Sequence, residues 1–316
     1  MLFIRRENMQ FFDLHCDTLY RSLKENQNLY KNQFHISIER GKKYTSWVQC
    51  FAIWIPDELR GEEAISLFRE AAGKLEKQIS LYEQFMSQCK TKEELIKTVE
   101  SGKCAAILTL EGGAALGGRI EELLEMYQFG VKIITLTWNG MNEIGDGAEV
   151  IHAKGLTRFG QQVVEKMNEL GMIIDVSHAS DRLFYDVAEY TNKPIIATHS
   201  NSRRICKQKR NLTDEQFGII QSTGGIVGIN FCKHFLNIYD EAGFSDILKH
   251  VDYFLSLGGE KTVCIGSDFD GTDMPKGITG IESMESLYEY FLKKNYKEQL
   301  VEDIFFNNAY QFFMRN

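Results

Sequence analysis

The sequence predicts a (β/α)8 barrel of the TIM type, and three observations carry that expectation. Eight short apolar runs alternate with amphipathic stretches along the 316 residues, the pattern of a parallel sheet covered by helices. Only three prolines occur and no Gly/Ser/Pro-rich linker interrupts the chain, so residues 1–316 read as a single domain. Five of the runs end in His, Asp or Glu, and barrel enzymes carry their catalytic groups at the C-terminal ends of their strands. An open, doubly wound sheet is the competing arrangement. No GxGxxG follows the first run, which counts against its dinucleotide-binding form.

The runs, in order, are FFDLHCDT (11–18), SWVQCFAIWI (46–55), CAAILTLEGG (104–113), VKIITLTW (131–138), MIIDVSH (172–178), PIIATHS (194–200), GIVGINF (225–231) and TVCIGSDFDG (262–271). They are short, rich in Val, Ile and Phe, and bounded by turn residues, as strands buried on both faces should be. Residues 62–89 form the longest helical pattern. A second spans 157–171, with Gly171 as its stop, and a third opens at Thr213, where Asp214 and Glu215 suit a capping box.

Hydrophobic residues are 43% and charged residues 25%, ordinary for a soluble globular chain. A net charge of -8 argues against a nucleic-acid partner. The seven cysteines (Cys16, Cys50, Cys89, Cys104, Cys206, Cys232, Cys264) are odd in number and contain no CxxC pair. They read as reduced, buried thiols of a cytoplasmic protein rather than a disulfide framework. The opening MLFIRRENMQ lacks a signal-peptide core, no run has the length of a membrane span, and the closing FFMRN is no lipid-anchor signal. A membrane partner is therefore not expected.

His15 and Asp17 stand at i and i+2, so in a strand they share one face. Together they can hold one divalent ion; His178 and His199 can hold a second, and the two oxygens of Glu111 can bridge both. Two ions about 3.5–4 Å apart can share a hydroxide nucleophilic at neutral pH. Asp268, ending the eighth run, is placed to shuttle the proton. Singly, each residue has an ordinary reading as a hydrogen-bonded histidine, a turn carboxylate or a helix cap. Gathered at five run ends, they read as a metal site. Of the remaining histidines, His35, His152, His234 and His250, the last sits in a helical stretch and reads as structural. His152, in the loop after the fourth run, either reaches the site or is idle.

At DLHCDT, TLEGG, GLTRFGQQVVEKMNELGMIIDVSH, ATHSNSR, KRNLTDEQ and IGSDFDG, the chain resembles the membrane (renal-type) dipeptidase family of zinc hydrolases. The resemblance runs from the first strand nearly to the C-terminus. It implies a two-zinc barrel, usually a homodimer, with His15 and Asp17 on the first zinc, His178 and His199 on the second, and Glu111 between them. It implies further that Arg210 binds the free carboxylate of the substrate, as a guanidinium fork is suited to do, and that Asp268 is the catalytic aspartate. One departure stands out. The fourth run ends LTW where many relatives have LTH, and that histidine contacts the substrate carbonyl oxygen. Trp138 offers one N–H donor and no charge, so His152 or Asn139 would supply a donor, or activity or substrate would differ.

The expected function is hydrolysis of dipeptides, L-D dipeptides included, by attack of a metal-bridging hydroxide. The first alternative keeps the metals and changes the bond to another small amide or ester, such as an N-acyl amino acid. The second is a non-catalytic metal- or peptide-binding protein, against which the intact set of ligands and Asp268 argues.

Overall fold

The computed structural model describes residues 9–239 and 241–316. The leader-free reading of MLFIRRENMQ therefore falls largely outside the described residues. Nine strands form one parallel sheet: β1 Gln10–Cys16, β2 Ser46–Trp54, β3 Met86–Gln88, β4 Cys104–Glu111, β5 Val131–Thr135, β6 Ile173–Asp175, β7 Ile195–Ile196, β8 Val227–Ile229 and β9 Val263–Ile265. Their order is β7-β6-β5-β4-β2-β1-β9-β8, with β3 added on β4 alone. A parallel bridge between Ala197 and Val227 joins the two ends of that order. Eight strands thus wrap into a nearly closed barrel, the (β/α)8 fold, and each of the eight apolar runs coincides with one of them, β1 starting one residue ahead of its run.

Successive residues of a strand face opposite ways, and two apolar layers result. Phe11, Phe51, Ala106, Leu108 and Ile134 pack outward against the helices. Phe12, Leu14, Val48, Cys50, Ala105 and Ile107 pack together in a separate cluster with Phe306, Phe312 and Phe313 near the C-terminus. Near the closure two strands approach tightly. A Cβ built on Gly228 or Gly266 would lie 1.9 or 1.8 Å from the Thr198 carbonyl oxygen, so both positions require glycine to let β8 and β9 pass the segment carrying His199.

The 62–89 helical pattern is corrected. The helix spans Gly61–Leu81, and Met86–Gln88 turns into β3. The cause lies in β4, whose partner β5 pairs only from Leu108 onward. The Cys104–Ala106 edge would be left without a partner, and Met86–Gln88 fills it while Met86 becomes fully buried. The helix Asp214–Ser222 is N-capped by Thr213 as expected, though its capping box is closed by Gln216 rather than Glu215.

All seven cysteines are free and buried. Among the described residues no helix is long and apolar enough to cross a membrane. His250 is structural. Its Nδ1 accepts the Ser202 N–H at 3.1 Å and its Nε2–H donates to the Leu236 carbonyl at 2.9 Å. Burial holds its pKa at about 4, below the ordinary 6.5. Between those values the unfolded chain binds a proton that the folded chain refuses. This residue's contribution is therefore present above the ordinary value and lost as pH falls, at up to about 1.4 kcal/mol per pH unit. Denaturant titrations across this range should show a shallower pH slope for His250→Gln than for the wild type. Identical slopes would remove the assignment.

Candidate functional site

Five barrel strands deliver their end residues to one opening. β1 supplies His15 and, just past its end, Asp17; β4 ends in Glu111. His178, His199 and Asp268 follow β6, β7 and β9 by three residues each. Glu111 stands in the middle. Its Oε2 lies 3.5 Å from His15 Nε2, while its Oε1 lies 2.8 Å from His178 Nε2 and 3.5 Å from His199 Nε2. His15 Nε2 is also 3.4 Å from Asp17 Oδ2, and the Nε2 atoms of His178 and His199 face each other at 2.9 Å. Asp268 brings a carboxylate oxygen within 4.8 Å of ligand atoms of His15 and Asp17. The sequence-predicted set therefore converges.

The backbone is bent to achieve this. His178 and Asp268 adopt left-handed conformations, at φ 67° and 60°, a region that costs ordinary residues energy and marks functional turns. The Asp268 N–H donates to the His15 carbonyl at 3.2 Å, and Asn230 Nδ2 donates to Asp268 Oδ2 at 2.9 Å.

The hydrogen bonds behind the imidazoles fix their lone pairs. Thr198 Oγ1 donates to Asp175 Oδ2 at 2.5 Å, so it must accept from His199 Nδ1–H, 2.8 Å away. His178 Nδ1 lies 2.8 Å from Asn139 Oδ1, an acceptor. Both rings thereby hold an unprotonated Nε2 toward Glu111, the arrangement that orients metal-ligating histidines. Replacing the Thr198 hydroxyl through Thr198→Val is expected to weaken metal affinity about 10–100-fold, read by competition with a chromophoric chelator. Unchanged affinity would contradict this role.

Electrostatics agree with a cation site. Burial, with repulsion from Glu111, lifts Asp17 to about 7. Burial also raises Asp268. It lowers His178 to about 4 and His199 well below its ordinary value, so both are neutral donors. Burial opposes charge on His15 too, yet Glu111 and Asp17 hold its pKa well above the ordinary value. His15 Nε2 and Asp17 Oδ1 are buried without a hydrogen-bond partner. Crowded carboxylates, unprotonated ring nitrogens and orphaned polar atoms are what a divalent cation would satisfy.

A cavity of about 380 Å³ opens above these residues, lined by Asp17, Glu111, His178 and Asp268 on its floor. Arg210 is buried and is not itself among the lining residues; its guanidinium lies 5.6 Å from the centre of Phe235, which is, and interacts electrostatically with Asp268 and Glu111 of the floor. Its Nε and Nη2 have no hydrogen-bond partner. Burial lowers its pKa, opposed by the Asp268 and Glu111 carboxylates. Trp138 lines the cavity, its ring centre 6.3 Å from that of His178. Asn139 also lines it, with its side-chain oxygen already engaged by His178. Of the two readings of His152, its position fits the idle one rather than the substrate-binding one: it is exposed, at φ 60°, and is not among the cavity-lining residues.

Three contributors escape the reading of runs. Tyr20 and Trp54 line the cavity, and Asn230 holds Asp268. Trp54 was detectable as the second-to-last residue of the second run; it ends β2 and pairs in register with Glu111. Asn230 was detectable as a polar residue inside the apolar GIVGINF.

Residues 5–315 match the family profile of the membrane dipeptidases, peptidase family M19. An uncharacterized protein in the pqqA 5′ region of Klebsiella pneumoniae is 31% identical over 230 residues, 70% of this chain and 85% of that protein. Dipeptidase 3 of Rattus norvegicus is 26% identical over 307 residues, 93% of this chain but 61% of that longer protein. A metallo peptidase from Rhodobacter sphaeroides, liganded with a phosphinate mimic of the dipeptide L-Ala-D-Ala, superposes with TM-score 0.91 at 26% identity, over 97% of this chain and 99% of that one.

Proposed function

From its membership of the membrane dipeptidase family, peptidase family M19, to which the chain belongs, we propose that this protein is a two-zinc dipeptidase acting on L-L and L-D dipeptides. The observation that carries the reading is Glu111. Its two oxygens face different partners, Oε2 toward His15 and Oε1 toward His178 and His199. In this reading His15 and Asp17 hold one ion, His178 and His199 hold the other, and Glu111 bridges. The chemistry zinc supplies when bound is Lewis acidity toward the scissile carbonyl and toward a water.

The remaining steps belong to the chain's own groups. The unpartnered N–H groups of Arg210 receive the substrate's terminal carboxylate, and this anchor admits one residue beyond the scissile bond. Asp268 takes up the proton of the attacking water and returns it to the leaving amine. Oδ1 is the atom for this task, because Oδ2 accepts from Asn230. The mimic of L-Ala-D-Ala held by the Rhodobacter sphaeroides relative supports tolerance of a D-residue at the C-terminal position. The same reading takes residues 1–316 as one domain of a homodimer, on family resemblance, in a reducing compartment such as the cytoplasm, supported by the seven free thiols.

The test compares kcat/KM of zinc-loaded protein on L-Ala-L-Ala and L-Ala-D-Ala with tri-alanine and N-acetyl-alanine. The dipeptides should be favoured by on the order of 100-fold, because an anchor sited for one residue rejects longer chains and an acyl group changes the amine end. Equal or better turnover of N-acetyl-alanine would favour an N-acyl amino acid hydrolase instead.

A further inference from the structure

Tyr20, Trp54 and Trp138 form a continuous aromatic ledge along the cavity wall. Tyr20 and Trp54 meet edge-to-face, with ring centres 4.9 Å apart at 77°, and Trp54 and Trp138 do the same at 4.9 Å and 70°. The ledge begins beside the metal-ligand set: Trp54 pairs in register with Glu111, and Trp138 lies 6.3 Å from His178 between ring centres. Gly112, at φ 95°, keeps the junction open. A Cβ there would lie 3.1 Å from the Ile55 carbonyl and 3.8 Å from Trp138 Cβ. Burial separates these rings from packing residues. Trp47, the third tryptophan, is 2% exposed inside the barrel wall, whereas Tyr20, Trp54 and Trp138 are only half-buried and border the cavity. Lys24 caps the outer end, its Nζ 5.4 Å from the centre of Tyr20.

We infer that this ledge seats the side chain of the substrate's N-terminal residue and selects bulky apolar and aromatic side chains there. The inference rests on the dipeptidase reading. With the terminal carboxylate on Arg210, beside Phe235, and the peptide bond over Glu111, the ledge is the apolar wall left for the N-terminal side chain, since the rest of the lining is charged, polar or glycine. A methyl group touches little of three rings; a benzyl or isobutyl group covers them and removes apolar area from water.

The experiment pairs turnover with binding. Zinc-loaded protein should give kcat/KM at least about tenfold higher for L-Phe-L-Ala than for L-Ala-L-Ala. Two of the three tryptophans lie in the ledge, so tryptophan fluorescence of metal-free protein should change at lower concentrations of L-Phe-L-Ala than of L-Ala-L-Ala. In Trp138→Ala, and separately in Tyr20→Ala, the selectivity ratio should fall toward unity. Hydrolysis of both dipeptides at similar kcat/KM by the wild type would overturn the ledge and leave the dipeptidase reading standing. An aromatic preference in the fluorescence titration without hydrolysis of either dipeptide would support the ledge and overturn the dipeptidase reading.

Discussion

Asp268→Asn is expected to cut kcat by about 10²–10⁴-fold, the usual contribution of a positioned proton-transfer group. The substitution keeps the shape of the side chain, and an amide oxygen can still accept from Asn230 Nδ2. The left-handed turn at φ 60° and the bond from the Asp268 N–H to the His15 carbonyl are backbone features that an amide also permits. What is lost is the ability to take up and release a proton. Both zinc ions should stay bound, because the proposed ligand set does not include Asp268. A carboxylate oxygen of Asp268 does lie within 4.8 Å of ligand atoms of the His15 imidazole and the Asp17 carboxylate. Zinc content therefore has to be measured beside turnover. A variant with two zinc ions and near-normal kcat would end the proton-shuttle role, and loss of one zinc would make Asp268 a ligand instead.

Arg210→Ala is expected to raise KM for dipeptides by roughly 30-fold to several thousandfold, equivalent to about 2–5 kcal/mol for removing one partner of a buried charge pair. Arg210 is buried with two unpartnered nitrogens, a costly arrangement that a carboxylate ligand would relieve. The effect should fall mainly on KM, since the carboxylate is held equally in ground and transition states. A dipeptide amide, which lacks the carboxylate, should be a poor substrate of the wild type and lose little further in the variant. Unchanged dipeptide kinetics would remove the clamp.

Much of this site was legible because barrel geometry converts sequence position into spatial position. His15, Asp17, Glu111, His178, His199 and Asp268 each end an apolar run, and parallel strands bring such ends to one face whatever the connections between them. The family resemblance pointed to Arg210, which lies in a loop where no periodicity could place it. Other features depended on tertiary contacts. Strand β3 sits inside a helical pattern, and only the unpaired Cys104–Ala106 edge of β4 explains it. His152 follows the correct strand, but it lies in a loop, where strand periodicity says nothing about position, and it is exposed. Tyr20 lies on the helix Thr18–Lys24 and meets Trp54 only once β1 and β2 are paired. Asn139, one of the alternatives for a substrate donor, also accepts from His178 through its side-chain oxygen, a contact between neighbours in space that sequence spacing does not reveal.

The most direct test of the central claim is reversible metal dependence of dipeptide hydrolysis, followed with metal content in one titration. Chelator-stripped protein is reloaded with zinc while L-Ala-L-Ala and L-Ala-D-Ala turnover is recorded at each step. The predicted result is no hydrolysis without metal and full activity on reaching two zinc ions per chain. Undiminished hydrolysis by fully stripped protein, or two bound zinc ions with no cleavage of either dipeptide, would contradict it.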